Sequence, residues 1–438
     1  MKSRTIGQIL FALALVFVSL LAAQTRKPSA KDLPASAFKL VSITATGSKH
    51  FSSEQIVAAT GLELGQTAGD DDFKKAARAL GDTGAFTDVL YSFQTAPSGT
   101  KLEFQVSDND QLVPVHFDNL VWFSDQELLE KLRARVPMFQ GELPVSGSLA
   151  DQVSDALQAL LIERNVPGRV DYLRAAHQDG PIEAFVYSVT GPTIRIRYAG
   201  FAGASPDELP ELGPPAIKLQ GADYSRAMLR SQCDKVFLPV YLERGYLKAT
   251  FADAQPRVIK DSPEVTVVDV SLRVTPGLQY KLAGFKWSGN SVFPLDKLQP
   301  LLHLHAGDLA NVVQLDTDLD AIKKLYGTRG YLLAAVKPVP QVDDAQSTVS
   351  YQLQVHEGDV YKMGELEIQG LDTRTTARLV DAWKLRGGVA YDSSYPQQFN
   401  QDVRDLLPAG EWNVAVHESL DEKEKAVDVT VRFDPKSH

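Results

Sequence analysis

The pattern of hydrophobic and polar positions changes its period several times along the chain, and the order of these changes recurs. Between Tyr280 and Gly358, an alternating stretch comes first, two stretches with helical spacing follow, and two further alternating stretches close the segment. Alternation of apolar and polar residues is typical of a half-buried strand, whereas recurrence every three to four residues is typical of an amphipathic helix. The segment therefore predicts the order strand, helix, helix, strand, strand, which starts again at Tyr361.

A short pattern marks the start of each copy. An apolar residue, a basic residue and a second apolar residue are followed by a glycine nine residues after the first of them. The four copies are Phe38-Lys39-Leu40 with Gly47, Ile194-Arg195-Ile196 with Gly203, Tyr280-Lys281-Leu282 with Gly289, and Tyr361-Lys362-Met363 with Gly370. We expect each glycine to take a positive φ in a tight turn after the opening strand. A further copy, second along the chain, has an opening strand near Val113 but no glycine in register, and we interpret it as degenerate.

Repetition at a nearly fixed period predicts the architecture of the whole chain. We predict an α+β fold of five tandem β-α-α-β-β units, each a three-stranded mixed sheet covered by two helices, in an extended array. The predicted units, called repeats one to five below, are residues 38–110, 111–190, 191–276, 277–357 and 358–438. Each repeat, at about 80 residues, is large enough to hold a small core of its own.

Two Gly-Tyr pairs mark the end of the second helix in repeats three and four. We expect Gly245-Tyr246 and Gly330-Tyr331 to end that helix and to begin the second strand at once, because glycine is common just after a helix. This strand would lie at an edge of its sheet. An open edge strand is a template on which another strand can add, and proteins use such edges to recognise peptides.

The helical run 221–244 contains two residues of special interest. Pro239 lies inside it, and we expect a kink or an early break there because proline removes a helix hydrogen bond and crowds the preceding turn. Cys233 is the single cysteine of the chain, so intramolecular disulfides are impossible. It shares one helix face with Leu229 and Phe237, which favours a buried structural thiol over a reactive one.

Composition and charge restrict the location and the partners. Residues 1–23 have a basic start and an apolar run of 15 residues, from Ile9 to Ala23, which is typical of a secretory signal peptide and short for a membrane span. An uncleaved membrane anchor is the alternative. Residues 24–37 are predicted to be a flexible lead-in. The formal net charge is −10 and there is no basic block, which argues against nucleic acid as a partner.

Candidate catalytic or metal-binding residues are few. His303 and His305 would not share a face, and no carboxylate or third histidine is fixed near them in sequence. Asp316-x-Asp318-x-Asp320 begins like a calcium-binding loop, but Ala321 and Gly327 stand where that loop needs glycine and glutamate. We interpret it as a helix with a solvated acidic face. The sequence therefore predicts no catalytic residue, no metal site and no cofactor, and an enzyme is the least favoured function.

The repeated order of elements resembles the POTRA domain. The residues that carry the resemblance are the opening patterns with their glycines, Leu302 to Gly307 between the helices, the Arg-Gly-Tyr triplets at 244–246 and 329–331, the closing Glu357-Gly358, and Gly84-Ala85-Phe86-Thr87-Asp88-Val89 in repeat one. Five copies after a signal peptide are similar to the periplasmic arm of BamA-type outer-membrane assembly factors. In that family a transmembrane β-barrel follows the last copy, whereas here only Asp434 to His438 follow the last predicted strand.

The resemblance implies a module that docks unfolded outer-membrane proteins and accessory lipoproteins, often by strand addition along its second strand. We therefore expect a periplasmic binding and scaffolding protein for outer-membrane protein assembly or translocation, associated with the outer membrane through its partners. The expected partners are unfolded or partly folded outer-membrane proteins, and assembly lipoproteins or a separately encoded outer-membrane barrel. The alternatives are an adaptor for envelope organisation or cell division, and the soluble half of a split assembly factor. The residues expected at the binding edge are Tyr246, Lys248, Thr250, Tyr331, Leu333, Trp412 and Val414.

Overall fold

The computed structural model describes residues 34–177, 180–262 and 264–436, so the predicted signal peptide and most of the predicted lead-in lie outside the described residues. The described residues form five small β-sheets accompanied by helices, which confirms the predicted α+β fold class. They separate into two compact units, one formed by residues up to 116 with 124–164 and 170–187, the other by 117–123, 165–169 and 188 onward. The division into five domains at the boundaries given above remains a prediction.

Repeat one contains a three-stranded mixed sheet and two helices. Its elements are β1 (Leu40–Thr46), α1 (Ser53–Thr60), α2 (Asp70–Asp82), β2 (Phe86–Ala96) and β3 (Gly99–Asp108). The sheet order is β1-β3-β2, with β1 parallel and β2 antiparallel to the central β3. Ser52 caps α1 through a reciprocal pair of hydrogen bonds with Gln55. Before β1, Ala35–Phe38 form a short 3₁₀ helix whose Ala37 carbonyl accepts a hydrogen bond from the Thr100 hydroxyl.

Repeat two departs from this sheet, as its degenerate sequence suggested. Its elements are β4 (Leu112–Phe117), α3 (Asp125–Arg135), β5 (Glu142–Pro144), α4 (Leu149–Glu163), β6 (Arg169–Ala176) and β7 (Ile182–Thr190). The short β5 joins the outer side of β4, so the order becomes β5-β4-β7-β6.

Repeat three has its second helix divided into two segments. Its elements are β8 (Thr193–Ala202), α5 (Leu209–Ile217), α6 (Arg226–Gln232), α7 (Leu238–Glu243), β9 (Thr250–Phe251), β10 (Gln255–Asp261) and β11 (Val265–Thr275). A π-helical turn, Cys233–Phe237, joins α6 to α7, and the backbone N–H of Leu238 donates to the Cys233 carbonyl. The chain therefore stays helical through Pro239. The wider π-helical turn accommodates the hydrogen bond that is lost because proline has no N–H.

Repeats four and five return to the three-stranded sheet. Repeat four has β12 (Lys281–Ser288), α8 (Leu295–Leu298), α9 (Val312–Gly327), β13 (Ala335–Asp343) and β14 (Thr348–His356). Repeat five has β15 (Lys362–Gln369), α10 (Thr373–Ala382), α11 (Tyr395–Asp402), β16 (Trp412–Asp421) and β17 (Ala426–Pro435). The sheet orders are β12-β14-β13 and β15-β17-β16, the order of repeat one. Within the described residues, no helix has both the length and the apolar character needed to cross a membrane.

The opening pattern has the same structural role in four repeats. The opening glycines Gly47, Gly203, Gly289 and Gly370 all have positive φ, as predicted. A Cβ on any of them would fall on the carbonyl of a residue in the last strand of its own repeat. The basic residues form isolated bridges with residues 28 positions later, namely Lys39–Thr67, Arg195–Asp223, Lys281–Leu309 and Lys362–Ala390. These four repeats are thus equivalent in backbone contacts as well as in sequence.

Candidate binding edges

The second strand of the repeat, which is the first strand of its closing hairpin, lies at a sheet edge, as the sequence predicted. In the part of the chain that the structure describes, β2, β13 and β16 are each hydrogen-bonded to a neighbouring strand on one side. In repeat three, β9 and β10 both pair with β11 and together take this place. An edge strand presents a row of backbone donors and acceptors, so these strands are the candidate binding sites.

Trp412 and Val414, both expected at the binding edge, lie on β16. Their side chains are half-buried and pack against the core of repeat five, and the Trp412 indole donates to the Pro408 carbonyl over 3.1 Å. Their contribution to a binding edge would therefore come from the backbone rather than from the side chains.

Of the five remaining expected positions, Thr250 lies on a strand, whereas the other four lie in turns. The strands begin at Thr250 and Ala335, not directly after the glycines. Tyr246 and Lys248 lie in a turn that the Ala249 N–H closes on the Tyr246 carbonyl. Tyr331 and Leu333 lie in the equivalent turn of repeat four. Thr250 is the first residue of β9 and pairs with Thr275.

These turns form because of contacts between consecutive repeats, which sequence periodicity cannot show. Leu247 packs against the core of repeat four, and Leu332 packs against the core of repeat five. The residues after each glycine therefore reach the next repeat before the chain starts its own second strand. The expectation that Gly245-Tyr246 and Gly330-Tyr331 begin strands was wrong for this reason.

The two glycines themselves join consecutive repeats. The Tyr280 N–H donates to the Gly245 carbonyl and the Tyr361 N–H donates to the Gly330 carbonyl, each over 2.8 Å. Both glycines have positive φ, and a Cβ on either would lie 2.6 Å from the carbonyl oxygen of that same tyrosine. Only glycine fits such a close approach without displacing the backbone.

Lys248 is part of this joint between repeats three and four. Its ammonium lies 2.7 and 2.8 Å from the two carboxylate oxygens of Asp344, which also accepts a hydrogen bond from the Tyr280 hydroxyl. These two hydrogen bonds, first that from Lys248 and then that from Tyr280, hold the pKa of the Asp344 carboxyl below its ordinary value. Lys248 is therefore engaged within the chain.

The register of β16 shows which of its backbone groups face outward. The Lys436 N–H donates to the Glu411 carbonyl over 2.9 Å, which makes 411 and 436 a hydrogen-bonded pair. Such pairs alternate with non-hydrogen-bonded pairs in an antiparallel ladder, and residues of the latter direct N–H and C=O away from the partner strand. The outward groups of β16 therefore belong to Trp412, Val414, Val416, Glu418 and Leu420.

Sequence reasoning missed the corresponding edge of repeat one. Val106 and Phe433 are equivalent, since the carbonyl of each contacts the opening glycine of its repeat. Their partners Val89 and Val414 are then equivalent too, so the outward groups of β2 belong to Val89, Tyr91, Phe93 and Thr95. The signal was present in the sequence, because β2 has 11 residues with neither proline nor lysine.

The other groups singled out from sequence have structural roles. Asp318 is fully buried, which corrects the expectation of a solvated acidic face along α9. It accepts the His303 backbone N–H over 2.8 Å, and its other oxygen lies 2.6 Å from His303 Nδ1. His303 and His305 line a cavity of about 440 Å³. Within the described residues, no group of three or more potential ligands is placed to hold a metal ion.

Burial raises the pKa of the Cys233 thiol to about 11, which fits a structural role.

Comparison with known proteins finds a family match for repeat four. The POTRA family model, described as surface antigen variable number repeat, matches residues 280–358. Residues 280–358 are a POTRA domain. The matched segment begins at the aromatic residue of the opening pattern and ends at the closing glycine of repeat four. The POTRA match agrees with the expectation of a non-enzymatic binding module.

The resemblance to BamA-type assembly factors extends beyond this POTRA domain. The outer membrane protein assembly factor BamA of Buchnera aphidicola (subsp. Acyrthosiphon pisum, strain APS) is 22% identical over 362 residues, covering 79% of this chain and 54% of that protein. A putative outer membrane protein assembly factor of Treponema pallidum (strain Nichols) is 25% identical over 168 residues, covering 38% of this chain and 20% of that protein. The chain thus spans about half of the first relative and a fifth of the second.

Among solved structures, POTRA domains 3–5 of Haemophilus influenzae BamA are 23% identical to this chain. That structure aligns with a TM-score of 0.42, covering 56% of this chain and 96% of the solved one.

Proposed function

We propose that this protein is a periplasmic binding and scaffolding protein in outer-membrane protein assembly or translocation. The POTRA domain at 280–358 and the two relatives described as assembly factors support this function. Its partners would be unfolded or partly folded outer-membrane proteins and the assembly proteins that work with them. Binding is then a matter of backbone edges and surfaces, with no chemical step.

Strand addition at β16 is the mode of binding that we propose. The observation that carries it is the row of outward N–H and C=O groups at alternate residues of this strand, from Trp412 to Leu420. The ten residues of β16 include neither proline nor lysine, the residues that most often blunt an exposed edge. An incoming extended segment could therefore extend the sheet beyond β16 without a change in the fold.

Site-specific photo-crosslinking in the native envelope tests this function. A photoreactive amino acid at Ala415, exposed on β16, should form crosslinks to outer-membrane proteins during their assembly. The matched control is the same amino acid at Arg378, exposed on α10 of the same repeat, where we expect no such crosslinks. Equal labelling from the two positions would argue against docking at the edge, and an absence of outer-membrane proteins from both would contradict the function.

A further inference from the structure

We propose that prolines decide which of the sheet edges accept an added strand: β16 and β2 are open, whereas β13 and β10 are closed. This inference rests on the proposed strand-addition function and specifies where it acts. It also gives the chemistry of the segment that would bind.

The closure of β13 follows from its register. Val355 is equivalent to Phe433, because the carbonyl of each contacts the opening glycine of its repeat, Gly289 or Gly370. Their partners Val336 and Val414 are therefore equivalent, and the outward positions of β13 are 336, 338, 340 and 342. Two of these four positions are Pro338 and Pro340.

Proline at an outward position has a selective effect. It lacks the N–H that an added strand would need as a donor, but it removes no hydrogen bond from the existing ladder, whose donors lie at the alternate residues. β13 thus keeps its pairing with β14 along all nine residues while its free side has lost two adjacent outward donors. The positions of β16 equivalent to the two prolines are Val416 and Glu418, which retain their donors.

The edge formed by β10 is closed by three features together. Its seven residues include Pro256 and Lys260, and the register shifts between Val258 and Lys260. A bulge twists the edge away from a straight partner, and a lysine adds a charge that an apolar segment would have to cover. In repeat two, the edge strand β6 has no proline, but three of its eight residues are charged (Arg169, Asp171 and Arg174).

The open edges determine the chemistry of the bound segment. On β16, the half-buried Trp412, Val414 and Val416 pack toward the core, whereas the alternate residues Asn413, Ala415 and His417 are exposed. An added strand continues both rows, so its side chains beside Trp412 and Val414 should be apolar and those beside Asn413 and His417 polar. A similar alternation holds on β2, where Val89 and Tyr91 are half-buried while Ser92 and Gln94 are exposed. Phe93, 41% exposed, continues the first row, and its ring centre lies 5.0 Å from that of Phe73. The occupant is therefore an extended polypeptide segment with alternating apolar and polar side chains.

Exchanging the prolines between the two edges tests the inference. The closing variant carries Val416→Pro and Glu418→Pro, and the opening variant carries Pro338→Val and Pro340→Glu, the residues of the equivalent positions. The purified full chain carries a photoreactive amino acid at Ala415 or at its equivalent Lys337. The probe is a labelled ten-residue peptide with alternating valine and threonine, and the readout is the yield of crosslinked peptide.

We expect the wild-type chain to crosslink from Ala415 and not from Lys337. The closing variant should lose roughly tenfold or more of the Ala415 yield, because two strand-to-strand hydrogen bonds are lost. The opening variant should gain crosslinking from Lys337 while its Ala415 yield stays unchanged. This gain cannot come from misfolding, which makes it the decisive measurement. Circular dichroism and thermal unfolding show whether the closing variant is folded. If the double variant is not folded, the single substitution Glu418→Pro, at an exposed residue, replaces it in the experiment.

Three outcomes would overturn the inference. Equal yields from Lys337 and Ala415 in the wild-type chain would show that the prolines do not close β13. An opening variant that gives no crosslink from Lys337 would show that a feature other than the prolines closes β13. The proposed function would still stand in that case if outer-membrane proteins crosslink from Ala415 in the envelope. Absence of any crosslink from Ala415, with the peptide and in the envelope alike, would remove strand addition itself.

Discussion

At the scale of single residues, two acidic side chains have structural roles that their positions in the sequence did not indicate. Acidic side chains are almost never fully buried unless they are paired, so the sequence placed Asp318 on a solvated helix face. The structure surrounds it with donors, namely the backbone N–H and ring of His303 and the Gln314 amide at 2.8 Å. Glu357, which marked a repeat boundary in the sequence, accepts the backbone N–H groups of Ser291 and Val292 over 2.6 and 2.7 Å. Both carboxylates anchor loops inside repeat four.

Replacing Asp318 tests this role. Asp318→Ala should lower the free energy of unfolding by about 1–3 kcal/mol, because the His303 N–H and the Gln314 amide lose the buried carboxylate that accepts their hydrogen bonds. Asp316→Ala is the matched control, since Asp316 is exposed on the same helix, and it should change stability by no more than about 0.5 kcal/mol. Chemical denaturation of the two variants measures the difference. Similar losses in both would mean that the buried hydrogen bonds contribute little.

At the scale of elements, turns decide where strands begin and which repeat a side chain serves. The helix-terminal glycines do end α7 and α9 within a few residues, as predicted, but the chain then turns instead of entering a strand. A further set of glycines was missed, apart from Gly307. Gly65, Gly221, Gly307 and Gly388 all have positive φ and donate their N–H to the residue after the opening basic one. These turns hold the segment between the two helices against the opening strand.

Two glycines with nearly the same φ allow the cost of backbone strain to be measured apart from the cost of a close atomic contact. Gly330 has φ 85° and would place a Cβ 2.6 Å from the Tyr361 carbonyl oxygen, whereas Gly388 has φ 84° and open space around the Cβ position. Gly388→Ala should therefore cost only the conformational strain, about 1 kcal/mol, and Gly330→Ala distinctly more, because backbone atoms must also move. Thermal unfolding measures both. Equal losses of stability would show that the backbone between repeats four and five moves to make room for the Cβ without a measurable cost in free energy.

At the scale of the molecule, the second compact unit links consecutive repeats through the same kind of joint. At each joint a glycine carbonyl accepts the N–H of the next opening tyrosine, and a leucine from one repeat enters the core of the next. The joints differ in polarity. Lys248 pairs with Asp344 at the first joint, whereas Leu333, 51% exposed, takes the equivalent place at the second. At the first joint, an ion pair that responds to pH and salt therefore connects repeats three and four.

The pKa of Asp344 reports on this joint. Because its folded pKa is lowered, the ion pair contributes fully above the unfolded carboxyl pKa of about 3.9 and is lost as the pH falls through the folded value. Lys248→Met should raise the Asp344 pKa, and so should added salt, which screens an exposed pair. Lys297→Met, at an exposed lysine of α8, should leave it unchanged. Carboxyl NMR titration measures these values, and an Asp344 pKa indifferent to Lys248 would contradict the assigned pairing.

The sequence by itself determined the repeated order of elements, the opening glycines and the position of the second strand at a sheet edge. These features are local, since they depend on a period of two or 3.6 residues and on backbone angles that glycine alone takes readily. The position of Trp412 and Val414 on an edge strand followed from the same signals.

Only the tertiary structure decided what those elements contact. Burial of Asp318, entry of Leu247 and Leu332 into the next core, and pairing of Lys248 with Asp344 all join residues distant along the chain. Periodicity shows that a side chain faces a core but not which repeat provides it. Likewise, the outward direction of Pro338 and Pro340 follows from strand register, which is set by pairing across the sheet and not by the strand's own sequence.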